Sequence, residues 1–399
     1  MSWLSKHLPG TIRFPLRSLR TRLRRSLAVP WRALFVGTTF IGVTGSHGKT
    51  TTTMLLGSML RCRGKTHVGL RFNEAAAIVR SMTRARPWRH RFMVQEVSGH
   101  FPGAIAKSVS VLKPQVGIVT AVGGDHRKAF GGNLHATARE KGNLVRALPA
   151  TGLAVLNADD PNVAAMAANS PCRVATFGTK SDADLRLIEA RSCWPERLSL
   201  VVEYRGERFA VKTQFVGEHW AVSVMAALLT AMELGVPRED CLSAIEKVAP
   251  AYNRMSVHAS PHGGWYVLDA FKSSFLGIET CLKFMADARA PRRTILVGTI
   301  SDYPGSSTSH YYKVARMALA VADRVIFTGR NADRVRRLAA REFAGRLFHH
   351  ETVAEAILML ENDPIPGELI YVKASRVDRL GPLLVTPDAN QRERLRTNG

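Results

Sequence analysis

The run Phe40-Ile41-Gly42-Val43-Thr44-Gly45-Ser46-His47-Gly48-Lys49-Thr50-Thr51-Thr52 constrains this chain more than any other feature. An apolar strand enters a glycine turn, passes through Lys-Thr-Thr and opens into a helical pattern from Met54 to Leu60. That is the layout of a phosphate-binding loop. Backbone N–H groups at a helix N-terminus face the phosphates, the lysine adds a point charge, and a hydroxyl reaches Mg²⁺. The spacing is a variant. The general motif would put its first glycine at position 43, where this chain has Val43, and the glycines fall instead at Gly42, Gly45 and Gly48. The loop predicts a nucleoside triphosphate held by Gly45, Ser46, His47, Gly48, Lys49, Thr50 and Thr51. Thr50 or Thr51 would supply the Mg²⁺ hydroxyl.

The 399 residues are enough for two or three domains. Hydrophobic content of 46% and charged content of 22% belong to an ordinary globular chain. No apolar run approaches the roughly 18 residues of a membrane span. The five scattered cysteines carry no zinc spacing and suit a reducing cytoplasm. The net charge of +24 is high, and part of it has an address. Residues 1–33 hold Lys6, Arg13, Arg17, Arg20, Arg22, Arg24, Arg25 and Arg32, no acid, and Leu16, Leu19, Leu23 and Leu27 at helical spacing. Such an arm is a solvated extension, a targeting peptide, or a basic amphipathic segment for an anionic membrane surface or acidic partner. No zinc-finger spacing or stacking-aromatic motif favours nucleic acid.

Strand patterns over 40–44, 92–97, 116–121, 153–156, 173–177, 198–204 and 209–214 alternate with helical patterns over 51–62, 138–147 and 221–234. They predict an α/β domain on a mostly parallel sheet, P-loop-ATPase-like, with an antiparallel hairpin near 196–215. A short helix over 240–248 leads to an Ala249-Pro250-Ala251 hinge. A second alternation comes next, with strands over 266–269, 294–297, 324–328 and 369–372 and helices over 277–286, 311–321, 333–344 and 353–361. It predicts a smaller, doubly wound, Rossmann-like domain. The expected division is a basic arm at 1–37, a central domain at 38–249, a C-terminal domain at 250–387 and a polar tail at 388–399.

Ligands of an open parallel sheet gather beyond the strand C-termini. Glu96 closes the apolar run 92–96 and is either a carboxylate beside the phosphate loop or a solvated strand-end acid. Asp125-His126 closes the run 116–124 and is either a ligating pair or a turn residue with an exposed imidazole. Lys141, in the helical stretch 138–144, reads alone as a surface lysine.

Together these motifs resemble the Mur ligases, ATP-dependent ligases that build the peptide stem of peptidoglycan. Thr44 to Thr51 matches the family's Thr-Gly-Thr-x-Gly-Lys-Thr-Thr with one Thr-to-Ser change. Glu96-Val97-Ser98 resembles its strand-end glutamate, Asp125-His126 its Asp-His pair, and Lys141 its lysine, often carbamylated by CO₂. Leu156-Asn157-Ala158-Asp159-Asp160-Pro161 resembles Leu-Asn-x-Asp-Asp-Pro, whose members approach the nucleotide base. Asn253-Arg254-Met255 resembles Gly-Arg-Met, where the arginine reaches the ATP phosphates. Val267-Leu268-Asp269-Ala270-Phe271 resembles the segment carrying an aspartate near the ribose. Val372-Lys373-Ala374-Ser375-Arg376 resembles the ending of the branch that adds D-alanyl-D-alanine to the muramoyl tripeptide.

The resemblance implies ATP and two Mg²⁺ ions held by Thr50, Glu96, His126 and a carbamylated Lys141. Lys49, His126, Lys141 and Arg254 would then be catalytic, and Asn157, Asp160 and Asp269 would serve the nucleotide. It implies a cytoplasmic carboxylate–amine ligase working through an acyl phosphate, on a peptidoglycan precursor or an amino-acid or peptide acceptor. Three departures accompany it. Only residues 1–38 precede the loop strand, so the family's N-terminal UDP-sugar domain is expected to be absent. The family's His-Asn-x-x-Asn reads His219-Trp220-Ala221-Val222-Ser223. Lys272, Ser274 and Thr299 replace residues of the D-alanyl-D-alanine branch. Competing readings are a poly-amino-acid synthetase-like ligase peripheral to the inner face of the membrane, an ATP-binding pseudoenzyme, a nucleic-acid-dependent ATPase and a small-molecule kinase.

Overall fold

Parallel strands buried on both faces are written as unbroken apolar runs, and such runs form the centre of the first sheet. In the computed structural model, which describes residues 30–70, 74–124, 129–260, 263–273, 275–301, 307–378 and 380, the chain divides into two compact units. The first comprises 1–188, 201–211 and 222–248; the second comprises 189–200, 212–221 and 249–399. The basic arm up to residue 29, Asp125, His126, Ser274 and the polar tail lie outside the described residues.

The strands of the first sheet are β1 (Thr39–Thr44), β2 (Thr66–Gly69), β3 (Phe92–Glu96), β4 (Val116–Val119), β5 (Leu153–Asn157), β6 (Arg173–Gly178), β7 (Leu185–Arg191), β8 (Ser199–Tyr204) and β9 (Glu207–Lys212). Their order is β2-β3-β1-β4-β5-β6-β7-β8-β9. The ladders from β2 through β7 are parallel. Central β3 and β4 are buried at every position. The expected hairpin is β8–β9. Its two-residue turn, Arg205-Gly206, has φ of 51° and 81°, the positive values that let a tight turn follow the strand twist.

Helices Ala75–Met82, Ala104–Leu112 and Leu134–Arg146 contribute Ile78, Met82, Ile105, Leu112 and Leu144 to one core, against Phe40 and Met93. Helix Lys49–Leu60 packs against helix Arg238–Lys247. The second sheet contains β10 (Ser256–Ala259), β11 (Trp265–Asp269), β12 (Arg293–Val297), β13 (Arg324–Thr328), β14 (Leu347–His350) and β15 (Leu369–Lys373), in the order β10-β11-β15-β12-β13-β14. All its ladders are parallel except β10–β11. Its core joins Leu268, Leu296, Ile326 and Val372 to Ile357 and Leu360 of helix Val353–Asn362.

The pattern reading misses β2, β7, β10, β14 and the helices at 75–82 and 104–112. Helix Ala104–Leu112 shows why. It has no side-chain cap of its own, and Glu140 caps it from a distant part of the chain. The buried Glu140 carboxylate accepts from the Gly103 N–H (2.8 Å) and the Ile105 N–H (2.7 Å). A cap 35 residues away leaves no local signal.

Glu140→Ala is expected to lower stability by about 2–3 kcal/mol, because two charge-assisted bonds to backbone donors are lost, that of Ile105 buried and that of Gly103 partly so. Urea denaturation checks it. A second expectation concerns His67 on β2. Burial pushes its pKa down to about 4, helped by the charges of His90 and Arg84, and its Nε2 sits 3.0 Å from the Ser81 hydroxyl. The unfolded chain therefore protonates first, and stability is lost as pH falls from about 6.5 toward 4, by roughly 3 kcal/mol at most. Melting curves from pH 7 to 4.5 should flatten in His67→Gln.

Candidate nucleotide site

β1 ends at Thr44, and the chain turns through Gly45–Gly48 into helix Lys49–Leu60. Gly48 is the N-cap at φ 81°, no side chain caps the helix, and its first turn has no acid. Twelve residues of aligned peptides thus end in N–H groups left for an anion. Both loop glycines are required. Gly45 has φ 149°, and a Cβ there would run into the Thr120 hydroxyl. A Cβ on Gly48 would meet Ser223 Oγ at 2.7 Å.

Residues 120–123, just beyond β4, brace the loop. Thr120 Oγ1 donates to the His47 carbonyl (2.6 Å), the Ser46 N–H to the Ala121 carbonyl (2.9 Å), and the Gly123 N–H to Ser46 Oγ (2.6 Å). Lys49 Nζ donates to the Gly45 carbonyl and, at 3.5 Å, to the Ser46 carbonyl. Its charge is therefore folded over the loop. Thr51 is buried at 3% exposure while Thr50 is half-buried, so Thr50 is the more accessible hydroxyl. Ser223, where the family has an asparagine, donates to the Gly48 carbonyl at 3.4 Å.

Asn157 and Asp160 stand behind this brace. Asn157 Nδ2 donates to the Thr120 carbonyl (2.9 Å). Asp160 accepts from the Val122 N–H (2.6 Å) with one oxygen and caps the turn at 161–164 with the other, through Asn162 and Val163. Their polar atoms position the strand end that positions the phosphate loop.

Glu96 and Lys141 are only 2% and 1% exposed. The readings of a solvated strand-end acid and a surface lysine are thereby overturned, since a charged group leaves water only where something compensates it. Glu96 is registered beside Val43 at the C-terminal end of β1. Leu144, on the helix face that carries Lys141, packs where a Gly42 Cβ would stand. Lys141 is thus about one helical turn nearer the loop.

In the second unit, Arg254 lies between two residues at positive φ, Asn253 (62°) and Met255 (52°). For a buried methionine that is a strained backbone. The guanidinium rests 3.9 Å from the centre of the Phe271 ring. Asp269 ends β11 and is bonded to Lys373 Nζ and, at 3.2 Å, to the Tyr371 hydroxyl. Trp220 fills its family asparagine position with a buried indole packed on His219 and Phe215. Its Nε1 has no partner among the described residues. His219, Gly217, Ser192, Lys283 and Phe284 line a cavity of about 280 Å³. Thr299 N–H and Oγ1 both bond Asp378, which also accepts from the Ser375 N–H.

Sequence reasoning passed over Thr120, Glu140 and Asp378. Thr120 had a signal, a hydroxyl just beyond an apolar strand that must lie beside β1. The other two act across contacts that no spacing encodes.

Mg²⁺ is held by few protein oxygens, with phosphates and water completing its shell. The Thr50 hydroxyl and Glu96 carboxylate are hard donors of that kind, and no cluster of three His, Cys, Asp or Glu ligands occurs among the described residues. These two oxygen donors are of the chemical kind that Mg²⁺ takes.

Two family models match the chain, the Mur ligase middle domain over residues 43–231 and the Mur ligase glutamate ligase domain over residues 253–376. A UDP-N-acetylmuramoyl-tripeptide–D-alanyl-D-alanine ligase of Mycobacterium leprae is 27% identical over 382 residues, covering 87% of this chain and 73% of that protein. A UDP-N-acetylmuramate–L-alanine ligase of Halorhodospira halophila is 28% identical over 64% of this chain and 52% of its own length. Among solved structures, MurF from Acinetobacter baumannii superposes with a TM-score of 0.81 at 22% identity, covering 91% of this chain and 79% of that one. MurF ligase from Thermotoga maritima in complex with ADP gives 0.76 at 19% identity, over 95% and 85%. With both domain models matched in order over a phosphate loop built as above, the chain belongs to the Mur ligase family of ATP-dependent acid–amino-acid ligases.

Proposed function

We propose that this protein joins a carboxylate of a peptidoglycan precursor to the amine of a dipeptide, D-alanyl-D-alanine in the first instance, with ATP converted to ADP and phosphate. The observation that carries the reading is the uncapped helix N-terminus behind Gly45–Gly48, with Lys49 folded over it. The D-alanyl-D-alanine ligase relative from Mycobacterium leprae supports the choice of amine. Two domains at 38–249 and 250–387, a basic arm at 1–37 and a polar tail at 388–399 form our proposed division. The family matches at 43–231 and 253–376 support it. We assign the reaction to the cytoplasm, where ATP is supplied.

In this reading the loop amides and Lys49 hold the β- and γ-phosphates. Thr50, Glu96, His126 and a carbamylated Lys141 would hold Mg²⁺, which when bound neutralises charge developing on the transferred group. A carbamate makes Lys141 an anion, which suits a buried site that receives a cation. The substrate carboxylate oxygen takes the γ-phosphoryl group as the bond to the β–γ bridging oxygen breaks and ADP leaves. The amine nitrogen then attacks the acyl carbon, the acyl–oxygen bond breaks, phosphate departs, and the nitrogen gives up its proton. Positioning and charge do most of the work in such a transfer. Arg254 and Asp269 complete the proposed nucleotide set, while Asn157 and Asp160 serve it by holding residues 120–122.

The test is phosphate release with ATP and Mg²⁺ across amino acids, dipeptides and UDP-muramoyl peptides. The expected result is release that requires both a muramoyl peptide and D-alanyl-D-alanine. Bound ATP without turnover on any pair would instead make this an ATP-binding partner protein. Lys49→Ala should cut amine-dependent ADP formation by about 100-fold or more. Gly45→Ala should weaken ATP binding by at least about tenfold in calorimetry, because the added methyl group pushes Thr120 from the loop. Lys141→Ala should both abolish turnover and remove a carbamate carbon signal from protein equilibrated with ¹³C-bicarbonate.

A further inference from the structure

The chain's positive charge is regional. Residues 1–124 contain 20 of the 56 Lys and Arg residues but only 2 of the 32 acids, Glu74 and Glu96. Within the described part, most of these cations gather at the N-terminal edge of the first sheet, opposite the phosphate loop. Trp31–Thr38 leads into β1, Arg61–Lys65 into β2, Thr83–Arg91 into β3, and Lys113 precedes β4. Direct bonds tie these segments together. Trp31 Nε1 donates to the Met82 carbonyl (3.2 Å), the Arg91 N–H to the Lys65 carbonyl (2.9 Å), and the Arg32 guanidinium to the Leu112 and Lys113 carbonyls (2.9 and 3.1 Å).

Lys65, Arg84, Arg86, Arg89, Arg91 and Lys113 are exposed on this edge. Among them stand large apolar side chains also left in water: Trp88 at 77%, Val36 at 87% and Leu34 at 52% exposure. We propose that this edge is a docking surface for an anionic lipid bilayer. Guanidinium and ammonium groups pair with headgroup phosphates, an indole settles at the interface, and short aliphatic side chains enter the acyl boundary. A duplex nucleic acid would use the cations and leave Leu34 and Val36 in water, so the apolar component selects the bilayer. No helix among the described residues is long and apolar enough to cross a membrane, so the contact is peripheral. Strands of four to six residues put about 13–20 Å between this edge and the phosphate loop, which faces away from the lipid.

The experiment is co-sedimentation of the full chain with phosphatidylcholine vesicles, with and without phosphatidylglycerol. The expected result is binding only to the anionic vesicles, weakening as salt rises. In a triple variant carrying Arg84→Ser, Arg86→Ser and Arg89→Ser, each substitution should contribute about a fivefold loss of vesicle binding, at unchanged ATP binding. Trp88→Phe should remove the blue shift of tryptophan emission seen on vesicle addition. Equal vesicle binding by the triple variant would overturn the proposal. So would tighter binding of duplex DNA than of anionic vesicles by the unaltered protein.

Discussion

The seam between β1 and β4 is the constraint on which the candidate site rests. Short loops of glycine and small residues have no shape of their own, and this one takes its shape from the strand beside it. Because β4 pairs directly with β1, Thr120 and Ala121 emerge under the loop and bond His47 and Ser46. β5, next in the sheet, then supplies Asn157 and the turn to Asp160, which hold residues 120–122 in turn. Ser223 closes the other side against Gly48. The uncapped helix N-terminus is thus offered to an anion by a hydrogen-bonded frame spanning three neighbouring strands and a helix.

The same frame explains the charges it buries. Isolated carboxylates and ammonium groups do not leave water without compensation. Glu140 is compensated by the N-terminus of helix Ala104–Leu112, a purely structural arrangement. Its chain neighbour Lys141 is buried toward the sheet instead, on the face shared with Leu144. Two adjacent residues of one helix therefore have different surroundings: one fastens a helix, and the other is the buried lysine we propose for the phosphate-handling site. In the second unit, the backbone strain around Arg254 and the pairing of Asp269 with Lys373 show a similar concentration of cost near residues of the family's motifs.

Much was legible in the sequence. The phosphate loop, the apolar strands flanking it, the two alternating α/β blocks and the hairpin near 199–212 all have local signatures of glycine spacing, periodicity or continuous burial. The edge strand β2 and helix Ala104–Leu112 did not, since one is short and half-buried and the other takes its cap from Glu140. The nucleotide-facing aspect assigned to Asn157 and Asp160 came from resemblance, whereas their hydrogen bonds run to the backbone beyond β4 and to the turn after β5.

By itself the sequence determined that a strand, a glycine turn and a helix would present N–H groups and a lysine to phosphate, because those properties are local to about a dozen residues. Only the tertiary structure decided that Glu96 and Lys141 are buried, that Thr120 fills the space where Gly45 has no Cβ, and that cations from four separated segments share one sheet edge with Trp88. The physical reason is the same each time. Burial, close approach and summed charge are properties of residues brought together from distant parts of the chain, and no local spacing records them.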